Sequence, residues 1–156
     1  MRRTEYYHQR GAPVAERIVV SATACVFDEA GALLLVRRSD NDTLTLPGGA
    51  QQIGETLAHT AVREVKEETG VNIAVSGLIG IYSDPEYVIA FPDGHVGQEF
   101  AVSFRAHPVG GVERTSAETS AVQWAAPGEL AALDIAEPIR LRIGHATAQT
   151  DTPFYT

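Results

Sequence analysis

The chain has 156 residues, 44% of them hydrophobic, and its 12 Lys and Arg against 20 Asp and Glu leave a formal charge of −8. That length favours a single packed domain. The acidic balance argues against a protein that grips a nucleic-acid polymer or an anionic membrane, since both need clustered cations; a small anionic substrate fits only where a cation mediates the contact.

Residues 1–16 are polar and carry Gly11 and Pro13, so they are expected to form a flexible arm. Its Tyr6-Tyr7 pair is a candidate for docking on a partner subunit, with a homodimer as the possible assembly. The first 17 residues hold no apolar stretch of the signal-peptide kind, and no run approaches the ~18 apolar residues of a membrane span. A cytoplasmic protein is the expectation. Arg17 to Phe27 is rich in Val, Ile, Ala and Thr and reads as a strand. Cys25, the single cysteine, falls inside this apolar run and is expected to be a buried structural thiol. The turn Asp28-Glu29-Ala30-Gly31 and the apolar Ala32 to Val36 complete a predicted β-hairpin. Leu44 to Leu46 is a short strand that ends at Pro47-Gly48-Gly49.

A helix is predicted for Glu55 to Thr69, with Gly70 as its stop. Val71 to Tyr82 reads as a strand, and Val88 to Phe91 with Gln98 to Ala106 as a second hairpin around Pro92-Asp93-Gly94. Phe100, Val102 and Phe104 alternate with Ala101, Ser103 and Arg105, which gives that strand one buried face. His107 to Thr119 is expected as loop, Ala121 to Ala125 as a last short strand, and Pro127 to Leu133 as a short helix. A final helix runs from Glu137 to Ala146, and residues 147–156 are expected to fray. The sum is a mixed sheet with helices on it.

The chemistry concentrates in one stretch. From Gly49 the chain reads five residues, Glu55, seven residues, Arg63-Glu64-Val65, one residue, Glu67-Glu68, one residue, Gly70-Val71. On a helix Glu64, Glu67 and Glu68 fall within an arc of roughly 100°, while Ala58, Ala61, Val62 and Val65 occupy the adjoining arc. Like charges one turn apart destabilise a helix, so a cation is expected among them. Clustered carboxylates are hard ligands that suit Mg²⁺ or Mn²⁺ rather than zinc. Arg63 is the cation within the cluster, and Glu55 is its natural partner.

This pattern resembles the box of the Nudix hydrolase family, with every specified position matched from Gly49 through Val71. The resemblance extends over about residues 17 to 133, through Leu46-Pro47-Gly48-Gly49 and on to Trp124 and Glu129-Leu130. It implies an α/β/α Nudix sandwich over 17–146, with a mixed central sheet, the glutamate-rich helix and one or two C-terminal helices. It also implies metal-dependent hydrolysis of a pyrophosphate bond in a nucleoside triphosphate or an ADP-ribose-like sugar nucleotide. By position, Glu64, Glu67 and Glu68 would ligate the metal, Gly48 would add its carbonyl, and Glu55 with Arg63 would form a structural pair. Glu64 or a carboxylate outside the box would activate the attacking water. Glu118 is the candidate by its offset from Trp124, with Glu99 and Glu113 also open, and Arg37 and Arg38 are candidates for the substrate phosphates. Trp124 itself is expected in the core. The chain departs from common family usage at Gln52 and Leu44, outside the box, where base recognition rather than catalysis is at stake. The alternative function is a Nudix-fold sensor that binds a nucleotide without cleaving it; the intact box favours the hydrolase.

Overall fold

The structure is a computed structural model and describes residues 2–156. Its elements in chain order are β1 (Thr4–Tyr7), β2 (Arg17–Val26), β3 (Leu33–Arg38), β4 (Leu44–Thr45), β5 (Gly48–Ala50) and α1 (Leu57–Thr69). There follow β6 (Val71–Tyr82), β7 (Tyr87–Ala90), β8 (Val96–Gly111), β9 (Thr119–Ala125), a 3-10 turn at Pro127–Ala132, α2 (Glu137–Ala148) and β10 (Phe154–Tyr155).

Two sheets result. The larger runs β1-β7-β8-β2-β5, with β6 on β8 and β10 on β6; the smaller is β4-β3-β9. β2 and β8 run parallel, Arg17 opposite Gly97 through Val26 opposite Ala106, while β6 and β7 meet β8 antiparallel. The mixed sheet expected from the sequence is therefore present. Residues of β2 alternate between two cores, as the two-residue period of a strand requires. Ala22, Ala24 and Val26 join Ala61 and Val65 of α1 in one apolar cluster. Cys25 joins Leu33, Leu35, Ile139 and Ile143 in a second, beneath α2. The sheets thus lie between α1 and α2 as an α/β/α sandwich, with Trp124 packed against the α1 cluster.

α1 begins one residue past its cap: the Thr56 hydroxyl accepts from the His59 backbone N–H, and the helix ends at Gly70 in the left-handed region at φ 76°. A Cβ on Gly70 would meet the Val112 carbonyl at 2.0 Å, so glycine is required there for space as well as for φ.

Four expectations are corrected. β2 and β3 do not pair as a hairpin; a single bridge, Phe27 to Leu33, marks where the chain leaves one sheet for the other. The Asp28 carboxylate holds that turn by accepting from the Ala30 and Ala32 N–H groups. The strand predicted to end at Ala106 continues as β8 to Gly111, because β6 extends equally far and pairs Val71 with Gly111. The expected loose arm contributes β1, which pairs with β7 from Thr4 opposite Ala90 to Tyr7 opposite Tyr87. Tyr7 lies edge-on to Tyr87 with ring centroids 5.5 Å apart, so that tyrosine docks on its own sheet. The expected frayed tail likewise returns as β10, parallel to Gly80 and Ile81. Among the described residues no helix is long and apolar enough to cross a membrane.

Candidate active site

β5 is the element that lets the glutamate helix approach the sheet. A Cβ on Gly48 would meet the Ala22 carbonyl at 2.3 Å, and one on Gly49 would meet the Glu64 carboxyl at 2.5 Å. The paired glycines therefore hold two surfaces apart by nothing but hydrogen: β2 on one side and the Glu64 carboxylate on the other. The Gly48 N–H points to Glu68 Oε2 at 3.4 Å, so the contact seen between Gly48 and the acids runs through its amide.

Arg63 gathers the box. Its Nε donates to Glu55 Oε1 at 2.5 Å, and its Nη2 donates to Glu55 Oε2 at 3.1 Å and to the Ala50 carbonyl at 3.1 Å. Nη1 donates to Glu64 at 2.6 Å and to Glu67 at 3.2 Å. Glu55 further accepts from the Gln52 N–H and the Thr60 hydroxyl. These donors, Arg63 first, hold the Glu55 carboxyl down at about 2. Glu55 thus ties the loop that follows β5 to the helix, as a charge-assisted fork does best.

Glu68 shows the opposite electrostatics. Burial first, then the charge of Glu64, with Glu118 adding to it, pushes its carboxyl up to about 8. Glu64 is raised in the same direction, by burial and then against the pull of Arg63, with Glu67 and Glu118 adding repulsion. A buried acid beside two others is a site short of positive charge. Glu118 is exposed, and its place beside Glu68 is set by its neighbour: the buried Thr119 hydroxyl donates to the Glu68 carbonyl at 2.8 Å.

These groups border a cavity of about 640 Å³ lined by Gly48, Gly49, Glu64, Glu68, Glu118 and Arg38, among others. The volume lies in the range of small-molecule sites. Three of the sequence candidates, Glu67, Arg37 and Glu113, lie off the cavity wall. Glu67 is 58% exposed on its side chain and lies off the cavity wall, on Arg63. Arg37 also lies off it, because its Nη1 donates to the Asp42 carbonyl at 2.7 Å in the following loop. Arg38 does line the cavity, but its charge is met by Glu5 at 2.5 Å and Asp40 at 2.6 Å. Glu113 is held by the Trp124 indole N–H at 2.5 Å, outside the cavity, whereas Glu99 is a buried wall residue that accepts from the Ser21 hydroxyl.

The donor set fits a hard divalent cation: Glu64, Glu68 and Glu118 would offer oxygen ligands from one cavity wall, and burial and mutual repulsion disfavour the bare charge on two of them. They are not drawn into a closed cage. Among the described residues, His8, Asp84 and Glu86 form the one trio of ligand atoms within 4.8 Å of each other. In the box, the Arg63 guanidinium sits between Glu64 and Glu67 instead.

Residues missed by sequence reasoning include Arg3 just before β1, Glu5 of β1 and Arg142 of α2, all on the cavity wall with Tyr87 of β7. Arg3 and Glu5 reach it because β1 adds to the sheet edge.

The family model for the NUDIX domain matches residues 17–145. The chain therefore belongs to the NUDIX domain family. It is 42% identical over 111 residues to a MutT-like protein of Streptomyces ambofaciens, covering 71% of this chain and 66% of that one. It is 35% identical over 109 residues to a putative 8-oxo-dGTP diphosphatase of Bacillus subtilis, covering 70% and 67%. The chain thus spans about two thirds of these relatives' lengths. A solved NUDIX hydrolase from Nitrosomonas europaea shares the fold at a TM-score of 0.72 and 21% identity, covering 90% of this chain and 77% of that one.

Proposed function

We propose that the chain hydrolyses a pyrophosphate bond in a nucleoside diphosphate-linked substrate, a nucleoside triphosphate or an ADP-ribose-like sugar nucleotide, in the presence of Mg²⁺ or Mn²⁺. The observation that carries this reading is Glu68: a buried carboxyl pushed up to about 8 beside Glu64 and Glu118 on the wall of a ligand-sized cavity. A protein has little reason to bury Glu68 beside two further acids on a cavity wall unless a cation joins them.

In this reading Glu64, Glu67, Glu68 and Glu118 would hold the cation. A divalent cation, when bound, offsets charge on the phosphate oxygens and lowers the pKa of a coordinated water. Glu118 or Glu64 takes the proton of the attacking water. The water oxygen bonds to phosphorus in line with the departing oxygen, the anhydride bond breaks, and a phosphate or nucleoside phosphate leaves. Glu55 and Arg63 keep the helix and its loop in register while this happens. The relative named as a diphosphatase supports a triphosphate substrate.

The test is phosphate and mononucleotide release from a panel with either metal: nucleoside triphosphates, oxidised dGTP, ADP-ribose and dinucleoside polyphosphates. Metal-dependent turnover of one class, lost in Glu67→Gln and Glu68→Gln, is the expected result. Binding without turnover of any member would favour a nucleotide sensor.

A further inference from the structure

His8 follows β1 directly, and both of its ring nitrogens face carboxylates of one loop. Nε2 lies 2.7 Å from Asp84 Oδ2, and Nδ1 lies 2.9 Å from Glu86 Oε2. A neutral imidazole carries one N–H and one lone pair, so it can donate to only one of two acceptors. The imidazolium donates to both. The geometry is therefore that of a protonated ring, and with both nitrogens taken neither is open to a metal ion. The surroundings favour the same form. The imidazole is raised above the usual histidine value, first by the Asp84 hydrogen bond and then, against some loss of solvent, by the charges of Asp84, Glu86 and Glu137. Asp84 and Glu86 reach the ring from the loop between β6 and β7, and Glu137 from the start of α2. From β1 itself, Tyr7 stands edge-on to the ring with centroids 4.5 Å apart.

The loop is shaped to receive this ring. Asp84 Oδ1 accepts from the Glu86 N–H at 2.9 Å and the Asp84 carbonyl accepts from the Tyr87 N–H at 3.1 Å, which leaves Oδ2 for His8. The Glu86 carbonyl in turn accepts the His8 backbone N–H at 3.1 Å. What the ring fastens matters to the cavity. β1 is the outermost strand of the larger sheet, four residues long and paired with β7 alone. Short edge elements open locally at low cost, so their end contacts govern how often they do. Glu5 in the middle of this strand lines the cavity and accepts from the Tyr87 hydroxyl at 2.7 Å and from Arg38 at 2.5 Å.

We propose that His8 is a pH-operated latch: protonated, it fastens the N-terminal strand to the loop between β6 and β7 and so completes the cavity wall at Glu5; deprotonated, it lets the strand open. The consequence for substrate rests on the hydrolase reading given above, whereas the latch itself does not. The folded chain holds the His8 proton more tightly than the unfolded chain does. The latch is therefore complete below the ordinary histidine value of 6.5 and is lost as pH rises through the raised folded value.

The experiment is amide exchange of Thr4–Tyr7 in the intact protein from pH 6 to pH 9 without added metal, expressed as protection so that the intrinsic pH dependence of exchange cancels. Wild type is compared with His8→Asn and His8→Arg. His8 sits at φ 50°, a left-handed backbone that asparagine also tolerates, and arginine keeps several donors charged at every pH. Wild-type protection is expected to fall about two- to fivefold across the range, roughly what one or two exposed ion pairs are worth. His8→Asn should be low throughout and His8→Arg high throughout, while Glu86→Gln should move the wild-type midpoint to lower pH. Steady-state KM then reads the cavity. The ratio of wild type to His8→Arg cancels the titration of acids common to both, and it is expected near one at pH 6 and about two- to fivefold at pH 9. Wild-type protection that ignores pH, or His8→Asn indistinguishable from wild type at pH 6, would overturn the latch. A flat KM ratio beside pH-dependent protection would overturn its coupling to the cavity. Absence of turnover in all three proteins would defeat the hydrolase reading, and exchange would still decide the latch.

Discussion

Arg63 and Glu55, eight positions apart, are joined by two hydrogen bonds of 2.5 and 3.1 Å, and the same guanidinium reaches Glu64 at 2.6 Å. One side chain therefore fixes the loop after β5 and restrains a carboxylate of the candidate site. Its positive charge stands among the box acids where a divalent cation is proposed to bind, so loading the cation requires Glu64 and Glu67 to loosen their hold on Arg63.

Replacing Arg63 should consequently harm geometry more than it harms folding. Arg63→Ala frees Glu55 and lets the helix and loop shift relative to each other; a misplacement near 1 Å costs about 10²-fold in rate. Arg63→Lys, which cannot fork, should recover little. Steady-state kinetics with circular dichroism as the fold control decide it, and full activity in Arg63→Ala would show the pair to be dispensable.

The metal-free protein should lose stability as pH rises. Glu68 has its folded pKa raised from 4.5 to about 8, with burial the first cause. The folded chain then keeps a proton that the unfolded chain releases, so its contribution is complete below about 4.5 and is lost as pH climbs through about 8. Melting temperatures in EDTA should fall between pH 6 and pH 9, less steeply in Glu68→Gln, and Mg²⁺ should raise them more at the upper end. Identical slopes for the two proteins would count against a protonated, buried Glu68.

How much of this was legible beforehand follows from where the signals lie in the chain. The glutamate helix announces itself locally, by the apolar arc of Ala58, Ala61, Val62 and Val65 and by Gly70 after it, although the sequence reading starts it at Glu55 rather than after the Thr56 cap. β1 does not, because Thr4–Tyr7 becomes a strand only by pairing with Tyr87–Ala90, 80 to 86 positions away. The hairpin expected across Asp28–Gly31 failed for a related reason. The turn is real, but β2 finds parallel β8 and β3 finds β9, so tertiary pairing outweighed local proximity. Arg142 was invisible because the sequence of α2 does not separate it from Arg140. Only packing does: Arg140 donates to the Leu130 carbonyl at 3.1 Å, while Arg142 turns inward to the cavity.

The N-terminal strand should matter for substrate affinity. Arg3 and Glu5 line the cavity, and Glu5 accepts from the Tyr87 hydroxyl at 2.7 Å and from Arg38. Removing residues 2–8 strips that wall and exposes the edge of β7. KM is expected to rise about tenfold with kcat changed far less, since one uncompensated charged contact is worth roughly that much. An unchanged KM would place the arm outside the site.

Cys25 should be inert while the chain is folded. It is fully buried, and burial pushes its thiol up to about 12. A disulfide reagent at pH 8 is expected to leave it untouched in the native protein and to titrate it on unfolding. Rapid labelling of the native protein would contradict the packing of the α2 core.

The central claim is that the acids beside β5 hold a cation and hydrolyse an anhydride. Turnover of GTP in ¹⁸O-labelled water, with and without Mg²⁺, in the wild type and Glu68→Gln, tests it most directly. The account predicts one labelled oxygen in a phosphate product, dependence on the metal, and a loss of about a thousandfold in the variant, equivalent to about 4 kcal/mol of barrier. Metal-independent turnover, or turnover that survives Glu68→Gln unchanged, would contradict it.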